Sequence, residues 1–177
     1  VNQRNNAARE VLSQFEYDSI IWGSNFSFAC YMPEHDLVFS KFNYSFPYEE
    51  NMALKQWFCE QISQGQLESS SLSWTSIRQG ESVYLYQIYH LEGVYLVAWA
   101  SSEELFSDIK ANTLSAQGEI FYLLPGEEWA AKDVVEDFCL KLSPEYTDIQ
   151  IVVTDQPYLE WGRFSLMIGF VLFILLV

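Results

Sequence analysis

Residues 83–100 read VYLYQIYHLEGVYLVAWA. Two apolar, aromatic-rich runs, VYLYQIYH at 83–90 and VYLVAWA at 94–100, flank Glu92-Gly93. Their β-branched and aromatic content is that of strands, and the short glycine-containing break turns one back on the other. Upstream, SLSWTSI at 71–77 is a third strand candidate, with Gln79-Gly80-Glu81 as its turn. Three consecutive strands joined by two short turns predict an antiparallel meander. In both long strands the apolar residues occupy alternate and intervening positions, so neither face is left for water. The sheet must be covered on both sides or border a pocket on one. That requirement decides the fold class: an α+β domain, with an antiparallel sheet flanked by helices.

Working outward, 26–32 and 37–44 (LVFSKFNY) are strand-like, and Pro33-Glu34-His35-Asp36 between them is a turn, which predicts a hairpin. Pro47 then precedes YEENMALKQWFCEQIS, where Glu49 and Glu50 complement the helix dipole, Leu54, Phe58 and Ile62 repeat at helical spacing, and Gly65 stops the helix. Residues 5–22 open with Ala7, Ala8, Arg9, Glu10, Val11 and Leu12, which predicts a long N-terminal helix. Ser101 or Ser102 caps a helix from Glu103 with Leu105, Phe106 and Ile109 as its stripe. GEIFYLL at 118–124 is a strand followed by a Pro125-Gly126 turn. Residues 127–142 predict an amphipathic helix with Trp129, Val134, Val135, Phe138 and Leu142 along one side, and IQIVV at 149–153 is a last strand. Asn25-Phe26-Ser27 and Asn43-Tyr44-Ser45 match the N-glycosylation pattern, which is too common by chance to carry weight.

The chain ends in FSLMIGFVLFILLV at 164–177, fourteen residues without a charge. A spanning helix takes about 20 apolar residues. The run reads as the first part of a truncated transmembrane helix; the competing reading is a short buried core helix of the same length. Residues 1–161 then form an extracytoplasmic domain, 162–177 begin the membrane segment, and an upstream membrane helix is the natural counterpart. Of 177 residues, 24 are acidic and 9 basic, for a net charge of -15. Such a surface disfavours nucleic acid, because phosphate binding needs positive charge. It is also repelled by anionic lipid, so the domain is expected to stand off the membrane and be held there by its helix.

No catalytic pattern is present. His35 and His90 share no metal-ligand spacing, and there is no GxSxG, P-loop or GxGxxG. The paired glutamates, Glu49-Glu50, Glu103-Glu104 and Glu127-Glu128, each sit at a predicted helix start, where the dipole accounts for them. No cofactor and no metal site is expected. Cys30, Cys59 and Cys139 are an odd number without redox spacing; Cys59 and Cys139 each adjoin a Phe on a predicted helix face and read as buried thiols. A single extracellular disulfide is the other reading, and spacing does not choose the pair.

Aromatic residues make up 17% of the chain, and those of the meander are the candidate site. Trp74, Tyr84, Tyr86, Tyr95 and Trp99 would wall a pocket if a helix crossed the sheet with a gap beneath it, and Arg78 and His90 would supply charged contacts for an anionic ligand. The competing reading is that these aromatics form the core of a small α+β domain.

Two stretches carry a family resemblance: GESVYLYQIYHLEGVYLVAWASSEELFSDI at 80–109 and SPEYTDIQIVVTDQPYLEWGRFSLMIGFVLF at 143–173. They resemble the extracytoplasmic sensor region of Firmicutes-type transmembrane histidine kinases, the YesM/LytS-like group. The first is similar to that group's hairpin before a helix, the second to its last strand, linker and second membrane helix. The element order is similar to PAS-like or Cache sensor folds. The resemblance implies a sensory input domain at the cell membrane, part of a two-component homodimeric receptor whose kinase core lies beyond Val177. Its stimulus would be an unknown small-molecule ligand or a protein. Signal transmission would run from the last strand through Gln156, Pro157 and Trp161 into the membrane helix. The rival is an accessory membrane protein whose extracytoplasmic domain binds a partner protein.

Overall fold

The computed structural model describes residues 9–17, 25–67, 73–107, 110–111, 118–129 and 138–155. Within them the chain runs α1 (residues 9–17), β1 (Ser27–Met32), a single 3-10 turn (Pro33–His35), β2 (Leu37–Lys41), α2 (Tyr48–Ser63), β3 (Thr75–Gln79), β4 (Ser82–Leu91), β5 (Val94–Ser101), α3 (Ser102–Leu105), β6 (Glu119–Leu123), β7 (Phe138–Leu142) and β8 (Gln150–Asp155). The fold is α+β, with two antiparallel sheets and few helices.

The first sheet has the order β2-β1-β5-β4-β3. Its centre is the β4–β5 hairpin, in register from Tyr84↔Ser101 to Leu91↔Val94. Glu92 and Gly93 both have positive φ, 49° and 79°. That is the I′ arrangement, whose twist matches the strands it joins. Between β3 and β4 the two turn residues are Gly80 and Glu81, and only Gly80 is left-handed (φ 62°). That is the II′ arrangement, for which a glycine at the first position is the low-strain choice. The expected meander is therefore present. The β1–β2 hairpin is present too, and it joins the meander by pairing β1 antiparallel to β5.

Both faces of the first sheet are engaged. On one face, Ala29, Tyr31, Tyr84, Tyr86, Ile88, Val97 and Trp99 form a core with Leu54, Phe58 and Ile62 of α2. The helix begins directly after Pro47 and presents Asn51, Leu54, Phe58 and Ile62 as its buried stripe. Phe58 packs 5.2 Å from the Tyr86 ring and 5.6 Å from that of Trp99, centroid to centroid. On the other face, Val83 and Leu85 meet Ile149, Ile151 and Val153, with Leu105, Phe106, Ile120 and Tyr122 packed around them. Ile151 and Val153 belong to the second sheet, whose order is β6-β8-β7. At the far end of that same face Phe15 of α1 is buried and stacks on Phe28, 5.5 Å between centroids.

One predicted element is corrected. Residues 138–142, expected to end an amphipathic helix, are strand β7, paired antiparallel with β8 from Phe138↔Asp155 to Leu142↔Ile151. Residues 138, 140 and 142 alternate as a strand requires, while 138 and 142 also satisfy helical spacing. The ladder with β8 decides between the two periods. The rest of that expected helix, 130–137, lies outside the described residues. So do the ends of the N-terminal helix expected at 5–22, which is helical over 9–17. Among the described residues no helix is long and apolar enough to cross a membrane. The apolar run at 164–177 lies outside them, as do Gln156, Pro157 and Trp161.

Candidate functional site

The seven candidate residues divide among four environments. Tyr84, Tyr86 and Trp99 lie under α2 and pack against it. Trp99 is 1% exposed, and its Nε1 donates to Asn51 Oδ1 at 3.1 Å. The same oxygen accepts from Ser27 Oγ at 2.7 Å, and Asn51 Nδ2 donates to the Asn43 carbonyl at 3.2 Å. Asn51 is fully buried, so these bonds replace all of its water. Asn43 is buried as well and donates from Nδ2 to Glu104 Oε2 at 2.7 Å, which makes it a structural residue rather than a glycan acceptor. Tyr84 donates its hydroxyl to Glu50 Oε2 at 2.8 Å. Burial, reinforced by that bond, pushes the Tyr84 phenol up to about 12. Burial also raises the Glu104 carboxyl, against the bond from Asn43. These aromatics are core, held by a polar network that ties α2 to β1, β5 and the loop before the helix.

Arg78 stands at the junction of the two sheets. Its Nη2 lies 2.7 Å from Glu127 Oε2 and donates to the Tyr122 carbonyl at 3.2 Å, while Nε donates to Glu127 Oε1 at 3.3 Å. The hydrogen bond from Arg78 is the main reason the Glu127 carboxyl is held below its usual range. Both groups are solvent-accessible, so the pair fixes geometry more than it stabilises. His90 and Tyr95 are directly opposite each other in the β4–β5 ladder and stack at 4.1 Å, with the His90 Nε2 accepting from the Gly93 amide at 3.3 Å. They brace the hairpin turn.

Two candidates border a cavity: Tyr84, at the edge of α2, in a space of about 290 Å³ with Glu50, Ala53 and Ser82, and Trp74. The space beside Trp74, of about 300 Å³, is lined by Phe26, Phe28, Trp74, Gln87 and Ala98. It opens on the face of the first sheet away from α2, because Phe28, Ala98 and Gln87 are consecutive partners across β1, β5 and β4. The Phe26 ring lies 5.3 Å from Trp74 and 6.5 Å from Phe28, centroid to centroid, tilted by 40° and 38°. Ala98 forms the floor: a methyl group where a larger side chain would close the space. The Trp74 amide donates to the Tyr146 carbonyl at 2.8 Å, and Trp74 pairs with Thr147 in an isolated parallel bridge. Two residues on, the Ser76 amide donates to Asp148 Oδ1 at 2.7 Å. The cavity wall is thus fastened to the segment that enters β8.

Sequence reading singled out Trp74 but not the other four lining residues. They meet only because β1 pairs with β5, a non-local contact without a local signature. Ala98, a lone small residue between Val97 and Trp99, was the one legible hint. Asn51 carries a comparable signal: a polar residue in register with Leu54 and Phe58 is the mark of a buried partner.

Among the described residues no group of three or more His, Cys, Asp or Glu is placed to hold a metal. Cys30 is buried and Cys59 half-buried, both as free thiols raised by burial. Cys139 is a free thiol too, but it lies on β7 and is exposed, which corrects the expectation of a buried helix thiol. Comparison of the chain with protein-family models, with curated proteins and with solved structures finds no match.

Proposed function

We propose that this chain is the extracytoplasmic input domain of a membrane-bound signalling receptor, a PAS- or Cache-like sensor of the YesM/LytS-like histidine-kinase type, acting as a homodimer. The observation that carries the reading is the position of β8. It is the middle strand of the second sheet, and its inner face packs on β4 of the first through Ile151, Val153, Val83 and Leu85. Val152 on its other face is fully buried. A rearrangement of the first sheet therefore reaches β8 through side chains already in contact. β8 leads in sequence to Gln156, Pro157 and Trp161 and then to the apolar run. A stimulus that favours one of two arrangements shifts their populations, and the linker passes the shift to the membrane helix. Proline stiffens that linker. Replacing Pro157 with Gly-Gly in the full-length protein should leave the domain folded and uncouple stimulus from autophosphorylation in membranes. Unchanged signalling would contradict this route.

A second reading, an accessory membrane protein that binds a partner protein, is favoured by one surface feature. Tyr89 and Leu91 are each 57% exposed, and Leu96, opposite Tyr89 in the ladder, is 39% exposed. The coding sequence beyond Val177 separates the two: a kinase segment fits the receptor, and a stop codon fits the accessory protein.

A further inference from the structure

The geometry points to a ligand for the cavity beside Trp74: a neutral, planar molecule of two fused rings carrying one hydrogen-bonding group. The inference deepens the sensor reading by naming the class of its stimulus.

Size comes first. An apolar cavity of about 150 Å³ is enough to hold a benzene. This one, at about 300 Å³, has room for a second ring. It is also at the lower end of the range for small-molecule sites, which argues against larger metabolites. Wall chemistry comes next. Phe26, Phe28 and Trp74 are apolar, Ala98 gives the floor, and the Gln87 amide is the one strongly polar side chain among these five residues. Among the described lining residues none is charged, so none of them offers a counter-charge to an anionic or zwitterionic guest.

Ring geometry then decides between a cation and a neutral arene. An aromatic cage for a quaternary ammonium needs ring faces that surround a common centre. Here the rings are 5.3 and 6.5 Å apart at tilts near 40°, and Phe28 already carries Phe15 stacked at 5.5 Å, so they lean on each other as one wall whose free part is Phe26 and Trp74. A wall of that kind offers a face for offset or tilted stacking, which suits a planar ring. Gln87 would orient the guest by its single polar group.

Occupancy has a route to β8. A ring stacked against Trp74 fixes that side chain, and the Trp74 backbone is bound to Tyr146 and Thr147, just ahead of Ile149 and β8.

The test uses the 177-residue chain in detergent micelles, with indole as the probe and tetramethylammonium as the contrasting cation. Titration calorimetry should give saturable binding of indole and none of the cation. In Ala98→Leu, whose larger side chain fills the floor, indole binding should fall at least tenfold while the thermal transition is kept. Partitioning into the micelle is common to both chains and subtracts. Should Ala98→Leu fail to fold, the wild-type chain still decides. Its Ala98 methyl and Gln87 amide resonances should move on titration, and the Ala53 methyl under solvent on α2 should not. Absence of saturable binding, binding unchanged in Ala98→Leu, or shifts confined elsewhere would overturn the ligand assignment. The sensor reading stands apart from these outcomes, because it is tested by the Pro157 replacement and not by indole.

Discussion

Removing the Asn51 side chain should be among the most damaging single changes in the domain. Asn51 is fully buried and holds three hydrogen bonds, from Ser27 Oγ and Trp99 Nε1 to its carbonyl and from its own amide to the Asn43 carbonyl. In Asn51→Ala the Trp99 indole N–H, on a residue 1% exposed, is left without an acceptor. Stranding a buried donor costs about 1–3 kcal/mol, and each of the other two lost bonds costs about 0.5–1.5 kcal/mol. Ser27 Oγ keeps the bond from the Asn43 amide at 2.8 Å, which limits its share. The expected loss is about 4 kcal/mol, roughly 8–16 °C in melting temperature for a chain of this size. The assay is thermal unfolding followed by near-ultraviolet circular dichroism, which reports the packing of Trp99. A double-mutant cycle sharpens it: in a Trp99→Phe background no indole donor remains to strand, so Asn51→Ala should cost less by about 1–3 kcal/mol. A loss below about 1 kcal/mol, or no coupling between the two sites, would refute the argument that this network organises the α2 face.

Two further outcomes follow from titration and exposure. The Tyr84 phenol is raised to about 12 from its ordinary 10.0. The folded state therefore holds that proton more tightly than the unfolded state, and stability intact below pH 10 should fall as pH rises through 12. Two units correspond to a ceiling of about 3 kcal/mol; Tyr84→Phe should remove that part of the alkaline loss, measured as the difference between the two chains' pH–stability curves. Among the cysteines, a maleimide added to the folded 177-residue chain should label exposed Cys139 rapidly while buried Cys30 stays unmodified until the protein unfolds. Equal labelling of the two would contradict the buried position of β1.

The local features of this fold were legible because local chemistry determines them. Pro47, the acidic first turn and the Leu54-Phe58-Ile62 stripe bound α2 at the residues expected. Glycines 80 and 93 set the two turns of the meander. Where the chemistry is non-local, reading failed. Residues 138–142 satisfy both helical and strand spacing, and only their pairing with β8 selects the strand. The second sheet places β8 between β6 and β7, an order that no local pattern announces. The requirement that both faces of the central sheet be engaged was correct, but covering elements were not assignable from periodicity. For that reason the aromatic candidates came out mixed: Tyr84, Tyr86 and Trp99 meet α2 and serve as core, while Trp74 faces the opposite side and borders a cavity.

Hydrogen–deuterium exchange on the 177-residue chain, with and without saturating indole, most directly asks whether the cavity speaks to β8. With indole bound, slower exchange is expected at the Trp74 amide and along Gln150–Asp155, which lies outside the cavity lining. Protection confined to β1, β4 and β5, with β8 unchanged, would contradict a path from the cavity to the strand that precedes the apolar run at 164–177.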